Sequence, residues 1–189
     1  MANKLGVYCA RTMAHEWLQM GQVLSGDFGN TQFPMLKTWI KTYPNHYNIA
    51  LTDCLTLDVF LREFNPGLAN AYSGVRHDSG DPFVFIDKIL GMYDNYGINP
   101  KTKTVVFSNA LNPDMVFKIF DYCFGKFGKI VFGIGTDFTN DMGVQALNMV
   151  MKLIIFDNRH VAKISDDAGK GMCKSADYVN MLKRVNGIK

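Results

Sequence analysis

The sequence predicts an α/β fold in which parallel strands alternate with covering helices. Two observations predict it. Short apolar runs recur between segments of helical spacing, and helix-starting pairs, Asp81-Pro82 and Asn112-Pro113, follow two of those runs after short connections. A βαβαβαβ order with connections this short requires strands that run the same way. The chain has 189 residues, 48% hydrophobic and 20% charged, which suits one domain over 1–189 with a core of its own and no internal boundary.

Each element has a local reason. Leu5 to Cys9 is a short apolar segment, and Met13 to Leu24 reads as a helix with Thr12 as N-cap and Glu16 in its first turn. Asn48 to Asp53 reads as a strand, and Thr56 to Phe64 as a helix with Leu57, Phe60 and Leu61 on one face. The apolar run from Leu68 to Val75 reads as the second strand. Asp81 caps the next helix, Pro82 is its first residue, Phe85, Ile86, Ile89, Leu90 and Tyr93 form its apolar face, and Gly97 stops it. Thr104 to Ser108 is a third strand, and a helix from Asn112-Pro113 to about Phe124 ends at Gly125. Lys129 to Thr136 is a fourth strand running into glycines. A hairpin around Asp157-Asn158 and a closing helix, SADYVNMLKRV, complete the chain.

Composition excludes several function classes. The net charge of +3 comes from 20 basic and 17 acidic residues spread along the chain, which leaves no electrostatic footprint for nucleic acid. No apolar run approaches the ~18 residues of a spanning helix, and Met1 to Val7 shows no apolar signal region, so the expected compartment is the cytoplasm. Cys9, Cys54, Cys123 and Cys173 form no C-x-x-C pair; free thiols fit that compartment, and no residue is assigned as a metal ligand.

The informative feature is where the polar residues fall. Each predicted strand turns polar at its carboxyl end: Asp53, then Arg76-His77-Asp78, then Ser108-Asn109, then Gly133-Ile134-Gly135-Thr136. In parallel α/β architectures these ends lie on one face, the face that binds ligands. Arg76 with Asp78 and Asp81 suits a substrate carrying both signs of charge, although Asp81 is equally well an N-cap and Arg76 a structural partner of either carboxylate. His77 alone reads as structural. The glycines before Thr136 allow backbone amides to approach a phosphate, as many glycine turns do. His15, in a first helical turn beside Glu16, is by itself a structural or exposed histidine.

The motifs TMAHEW (Thr12 to Trp17), ALTDCLTLDVFLREF (Ala50 to Phe64), GVRHDSGDP (Gly74 to Pro82), VFSNALN (Val106 to Asn112), FGIGTDFTND (Phe132 to Asp141) and AKISDDAGKGMC (Ala162 to Cys173) together resemble nicotinate phosphoribosyltransferases, in order and spacing. That resemblance implies part of an irregular, TIM-like α/β barrel of a type II phosphoribosyltransferase. It also implies an ATP-coupled reaction of NAD salvage, joining nicotinate and phosphoribosyl pyrophosphate into nicotinate mononucleotide and pyrophosphate with Mg²⁺. By the same resemblance His15 is a phosphorylated histidine, Asp53 assists the ribose or metal region, and Arg76 and Asp78 border pyridine and ribose. Ser108, Asn109, Gly133, Gly135 and Thr136 then hold phosphates, and Asp81 lies among the substrate-binding residues. Glu16 is the candidate to orient the imidazole and Arg11 a candidate cation for its phosphoryl group.

The chain departs from the family at Arg11, where glycine is usual, and at Asn109, where aspartate is usual and the amide offers only a neutral acceptor. The resemblance covers the C-terminal portion of the family's length, so the expected partners include a separate N-terminal half or a second copy of the chain. The alternative expectation is a non-catalytic chain that binds phosphate or a partner.

Overall fold

The computed structural model describes residues 12–44, 48–140, 142–147, 149–167 and 169–189. The apolar segment Leu5 to Cys9 and the candidate cation Arg11 lie outside the described residues. Four strands form one parallel sheet: β1 (Ile49–Leu51), β2 (Gly74–His77), β3 (Thr104–Phe107) and β4 (Lys129–Phe132), in that spatial order. Ala50, Val75, Val105 and Ile130 align across it in register. Thr12 adds an isolated parallel bridge to Ile49, with its Oγ1 donating to the Ile49 carbonyl over 2.9 Å.

Helices connect and cover the strands as local chemistry dictates. α1 (His15–Leu24) and α2 (Gln32–Thr42) precede the sheet, and α3 (Leu57–Glu63) begins at Thr56, whose hydroxyl accepts from the Val59 amide. α4 (Pro66–Ala71) is capped by Asn65, α5 (Pro82–Asn95) by Asp81 and α6 (Pro113–Cys123) by Asn112, each with proline as its first residue. A short helix, α7 (Thr136–Thr139), follows β4. The two-residue strands β5 (Ile155–Phe156) and β6 (Arg159–His160) pair antiparallel. Asp157 and Asn158 between them both take positive φ, 48° and 56°, as a tight hairpin turn needs. α8 (Ala176–Asn186) closes the chain between a Ser175 cap and Gly187.

Several expectations change, and the fourth strand ends at Phe132, before the glycines and Thr136, which opens α7. Thr12 does not cap α1, which starts at His15 after Ala14 with no side-chain cap, because Thr12 is drawn to the sheet edge at Ile49. The segment from Leu68 to Ala71 is helical, since Asn65-Pro66 starts a helix there, and β2 begins only at Gly74. That strand therefore extends through Arg76 and His77, which lie within it rather than after it. Gly74 is required by packing, because a Cβ there would run into the Thr104 carbonyl of the neighbouring strand. α2 carries no local start signal. Its first amides, Gln32 and Phe33, donate instead to the buried Glu63 carboxylate at 2.6 and 2.9 Å.

The core lies between sheet and helices, with Leu18, Leu36, Leu51, Phe60, Phe64, Tyr72, Ile86, Ile89, Tyr93 and Phe107 fully buried. Among the described residues no helix is long and apolar enough to cross a membrane.

Candidate active site

His15 is the first residue of α1 and is 5% exposed. Its Nε2 lies 2.9 Å from Oδ1 of Asp53, just past β1, and 3.6 Å from Oδ2 of Asp78, just past β2. The helix start and two strand ends thus meet at one imidazole. The other nitrogen, Nδ1, faces Lys152, whose Nζ is 3.5 Å away and 3.4 Å from Oε1 of Glu16. Glu16 therefore does not orient the ring. Asp53 does, and Glu16 pairs instead with the lysine beside it.

Both carboxylates are themselves held. Asp53 is 1% exposed, and its Oδ2 accepts from Ser79 Oγ at 2.8 Å and lies 2.9 Å from Lys163 Nζ. Burial by itself would raise the Asp53 pKa, but the His15 hydrogen bond and the charge and hydrogen bond of Lys163 outweigh it and hold the carboxyl well below the usual range. Asp78 Oδ1 accepts from Arg76 Nη2 at 2.9 Å and from Ser108 Oγ at 2.6 Å, while Arg76 Nε donates to Ser108 Oγ at 2.8 Å. The ends of β2 and β3 are thereby tied to each other.

The remaining sequence-predicted residues separate from this cluster in different degrees. Asp81 is used as a cap, accepting from the Phe83 and Val84 amides at 2.7 and 3.0 Å. Asn109 joins a neighbouring group: its Oδ1 accepts from Lys170 Nζ at 2.6 Å and its Nδ2 donates to Asp167 Oδ2 at 3.2 Å. Asp167 Oδ1 in turn accepts from the Gly80 amide at 3.0 Å, so the loops after β2 and β3 share one carboxylate. Gly133 continues the ladder to the Phe107 carbonyl and packs beside Ser108. Gly135 and exposed Thr136 start α7, and among the described residues no hydrogen bond joins either to His15, Asp53 or Asp78. His77 is structural. Its Nε2 contacts the Gly80 carbonyl, its ring packs on Phe85 and Phe107, and burial pushes its pKa down.

Sequence reasoning missed Ser79, Lys152 and Lys163. A signal for Lys163 was present. It stands in the apolar run Val161 to Ile164, and a charge inside such a run needs a buried partner.

Among the described residues, ligand atoms of His15, Asp53 and Asp78 lie within 4.8 Å of one another. They do not fit Mg²⁺, which favours oxygen donors and keeps several waters. An imidazole is one of the three donors, and both Asp53 oxygens are already engaged, one of them by an ammonium group.

Residues 1–188 match the nicotinate phosphoribosyltransferase (NAPRTase) family. The nicotinate phosphoribosyltransferase of Sodalis glossinidius is 43% identical over 186 residues, covering 98% of this chain and 46% of its own length. The crystal structure of nicotinate phosphoribosyltransferase from Vibrio cholerae superposes with a TM-score of 0.93 at 40% identity, covering all of this chain and 46% of that one. The enzyme from Porphyromonas gingivalis gives 0.89 at 34% identity, covering 99% and 49%. The chain spans about half the length of the relatives it matches, and it belongs to the nicotinate phosphoribosyltransferase family.

Proposed function

We propose that this chain carries the phosphohistidine and part of the ribose-transfer site of an ATP-coupled nicotinate phosphoribosyltransferase. The reaction joins nicotinate and phosphoribosyl pyrophosphate to give nicotinate mononucleotide and pyrophosphate, in NAD salvage in the cytoplasm. One observation carries the reading: His15 is gripped at Nε2 by Asp53 and Asp78 while Nδ1 points to Lys152. With the proton on Nε2, Nδ1 keeps a lone pair that can attack the γ-phosphorus of ATP. The Nδ1–P bond forms as the bond to the ADP oxygen breaks, and water later hydrolyses the phosphohistidine. Free amides at the start of α1 and the Lys152 ammonium favour the added negative charge.

The other residues take roles that follow from charge. Displacement at the ribose passes through an oxocarbenium-like state, which Asp78 stabilises electrostatically, an effect of about 3 kcal/mol for a well-placed group. Arg76 orients the nicotinate carboxylate or stacks on its ring. Ser108, Asn109, Gly133, Gly135 and Thr136 line the ends of β3 and β4, where backbone and side-chain donors can meet phosphate. Mg²⁺ would supply neutralisation of charge on the leaving pyrophosphate, and the His15 cluster is a poor cage for that ion. Asp81 is left out of the reaction and assigned to the α5 cap.

The parallel sheet is a portion of an α/β barrel completed by a second polypeptide segment or a second copy. Support comes from α7 and the run after it, where Phe138, Met142, Val144, Leu147, Met149 and Met151 are all exposed. The reading is tested with γ-labelled ATP. The assembled enzyme should yield an acid-labile, base-stable phosphoprotein, and His15→Asn should abolish the label together with ATP stimulation. Normal labelling of the His15→Asn protein would move the role to another residue.

A further inference from the structure

Each carboxylate that faces Nε2 of His15 has a cation of its own: Lys163 at 2.9 Å from Asp53 and Arg76 at 2.9 Å from Asp78. We propose that Lys163 is a positioning residue that keeps His15 neutral, with its proton on Nε2 and its lone pair on Nδ1. This rests on the reading of His15 as phosphoryl acceptor and names the residue that prepares it.

The argument is electrostatic. A carboxylate with no other partner, buried against an imidazole, draws the ring into its doubly protonated form, because an opposite charge at this range favours the charged state. An imidazolium has two N–H donors and no lone pair, so it cannot attack phosphorus. With Lys163 on Oδ2, the Asp53 carboxylate is already neutralised, and it acts on the ring as a hydrogen-bond acceptor that fixes the tautomer. The ring is also faced by Asp78 and Lys152, which pair in turn with Arg76 and Glu16, and Cys54 Sγ lies 3.9 Å from the His15 carbonyl. Asp53, Asp78 and Glu16 thus stand against Arg76, Lys152 and Lys163, and Lys152 on the Nδ1 side further disfavours a second proton.

Lys163 is built into place. It is 6% exposed, and its backbone N–H and C=O pair with Met172 at 3.0 and 2.8 Å. The next amide, Ile164, donates to the Cys54 carbonyl at 2.9 Å, beside Asp53. Its Nζ also reaches Ser165 Oγ at 3.4 Å.

The test uses ¹⁵N-histidine NMR of the 189-residue chain, with His15 assigned by its loss in His15→Asn. It adds labelling by phosphoramidate, a small donor whose P–N bond breaks to release ammonia as the Nδ1–P bond forms. At neutral pH the unmodified chain should show the proton on Nε2 and an unprotonated Nδ1. Lys163→Met should give a doubly protonated ring at the same pH and slow phosphoramidate labelling by about tenfold or more, as the fraction of rings with a free Nδ1 lone pair falls. Lys163→Arg, which keeps the charge, should retain the neutral ring. A folded Lys163→Met chain with unchanged tautomer and labelling rate overturns the proposal. So does an unmodified chain whose ring is protonated on Nδ1, a result that holds even if Lys163→Met fails to fold. If ATP labels no histidine while the ring responds as described, the phosphoryl-acceptor reading falls and the Lys163 assignment stands.

Discussion

Nε2 of His15 lies 2.9 Å from Oδ1 of Asp53, although 38 residues separate them in the chain. One residue opens a helix and the other follows the strand β1, and only the parallel sheet beneath α1 brings their ends together. Substitutions at this contact, and in the elements that hold it, have distinct expected effects.

The Arg76–Asp78–Ser108 group ties the ends of β2 and β3 and supplies charge to the site. In the assembled enzyme, Arg76→Ala and Asp78→Asn should each lower nicotinate mononucleotide synthesis by about tenfold or more. Thermal melting should change little. Both groups are partly exposed, so neither substitution leaves a fully buried charge. Near-normal turnover in both variants would sink these assignments.

Asp53 should make the fold acid-sensitive. Its folded pKa is depressed by His15 and Lys163 against the opposing effect of burial, so its contribution is fully present above its unfolded value and is lost as pH falls through the folded one. Melting temperature should therefore decline below about pH 4, the unfolded carboxylate range. Asp53→Asn should flatten that acid limb and cost about 3 kcal/mol at neutral pH, because Lys163 is left buried beside a neutral amide. Superimposable acid limbs in the two proteins would refute this.

Glu63 holds the start of α2 from a distance of thirty-one positions, through the Gln32 and Phe33 amides. Removing it in Glu63→Ala should cost about 1–2 kcal/mol in urea unfolding, the worth of a helix cap with charge. Because α2 has no capping bond from its own Thr31 side chain, no local group replaces it. An unchanged midpoint would mean that water caps the helix equally well.

Gly74→Ala should cost about 1–3 kcal/mol, since the added methyl meets the Thr104 backbone and the sheet must shift. Gly97→Ala, at a φ of 64° with no atom within 4 Å of the new methyl, should be milder, its cost being backbone strain alone. Guanidinium unfolding of the two variants orders them, and the reverse order would refute the packing argument.

Assayed by itself, the 189-residue chain should form no nicotinate mononucleotide, and at high concentration it should associate through the apolar run that includes Leu147, 88% exposed. Product formation followed together with size-exclusion chromatography checks both. Turnover by a monodisperse monomer would show that the site is complete without a further segment.

The sequence by itself determined the elements whose signals are local. Asn65, Asp81, Asn112 and Ser175 each cap a helix from the position next to it, and three of these stand before proline. The run Leu68 to Ala71 reads as strand only because its apolar residues outweigh that same Asn-Pro signal at its start. The polar strand ends were also legible, because in a parallel sheet every carboxyl end faces one way. Tertiary structure decided what those ends do. α2 forms around a carboxylate from α3, Lys152 reaches the site from a segment with no local mark of function, and the charge of Lys163 finds its buried partner in Asp53. Local patterns record hydrogen bonds closed within a few residues. Arg76 and Asp78 balance within one short stretch, but Lys152 and Lys163 answer Glu16 and Asp53 from more than a hundred residues away, beyond any local window.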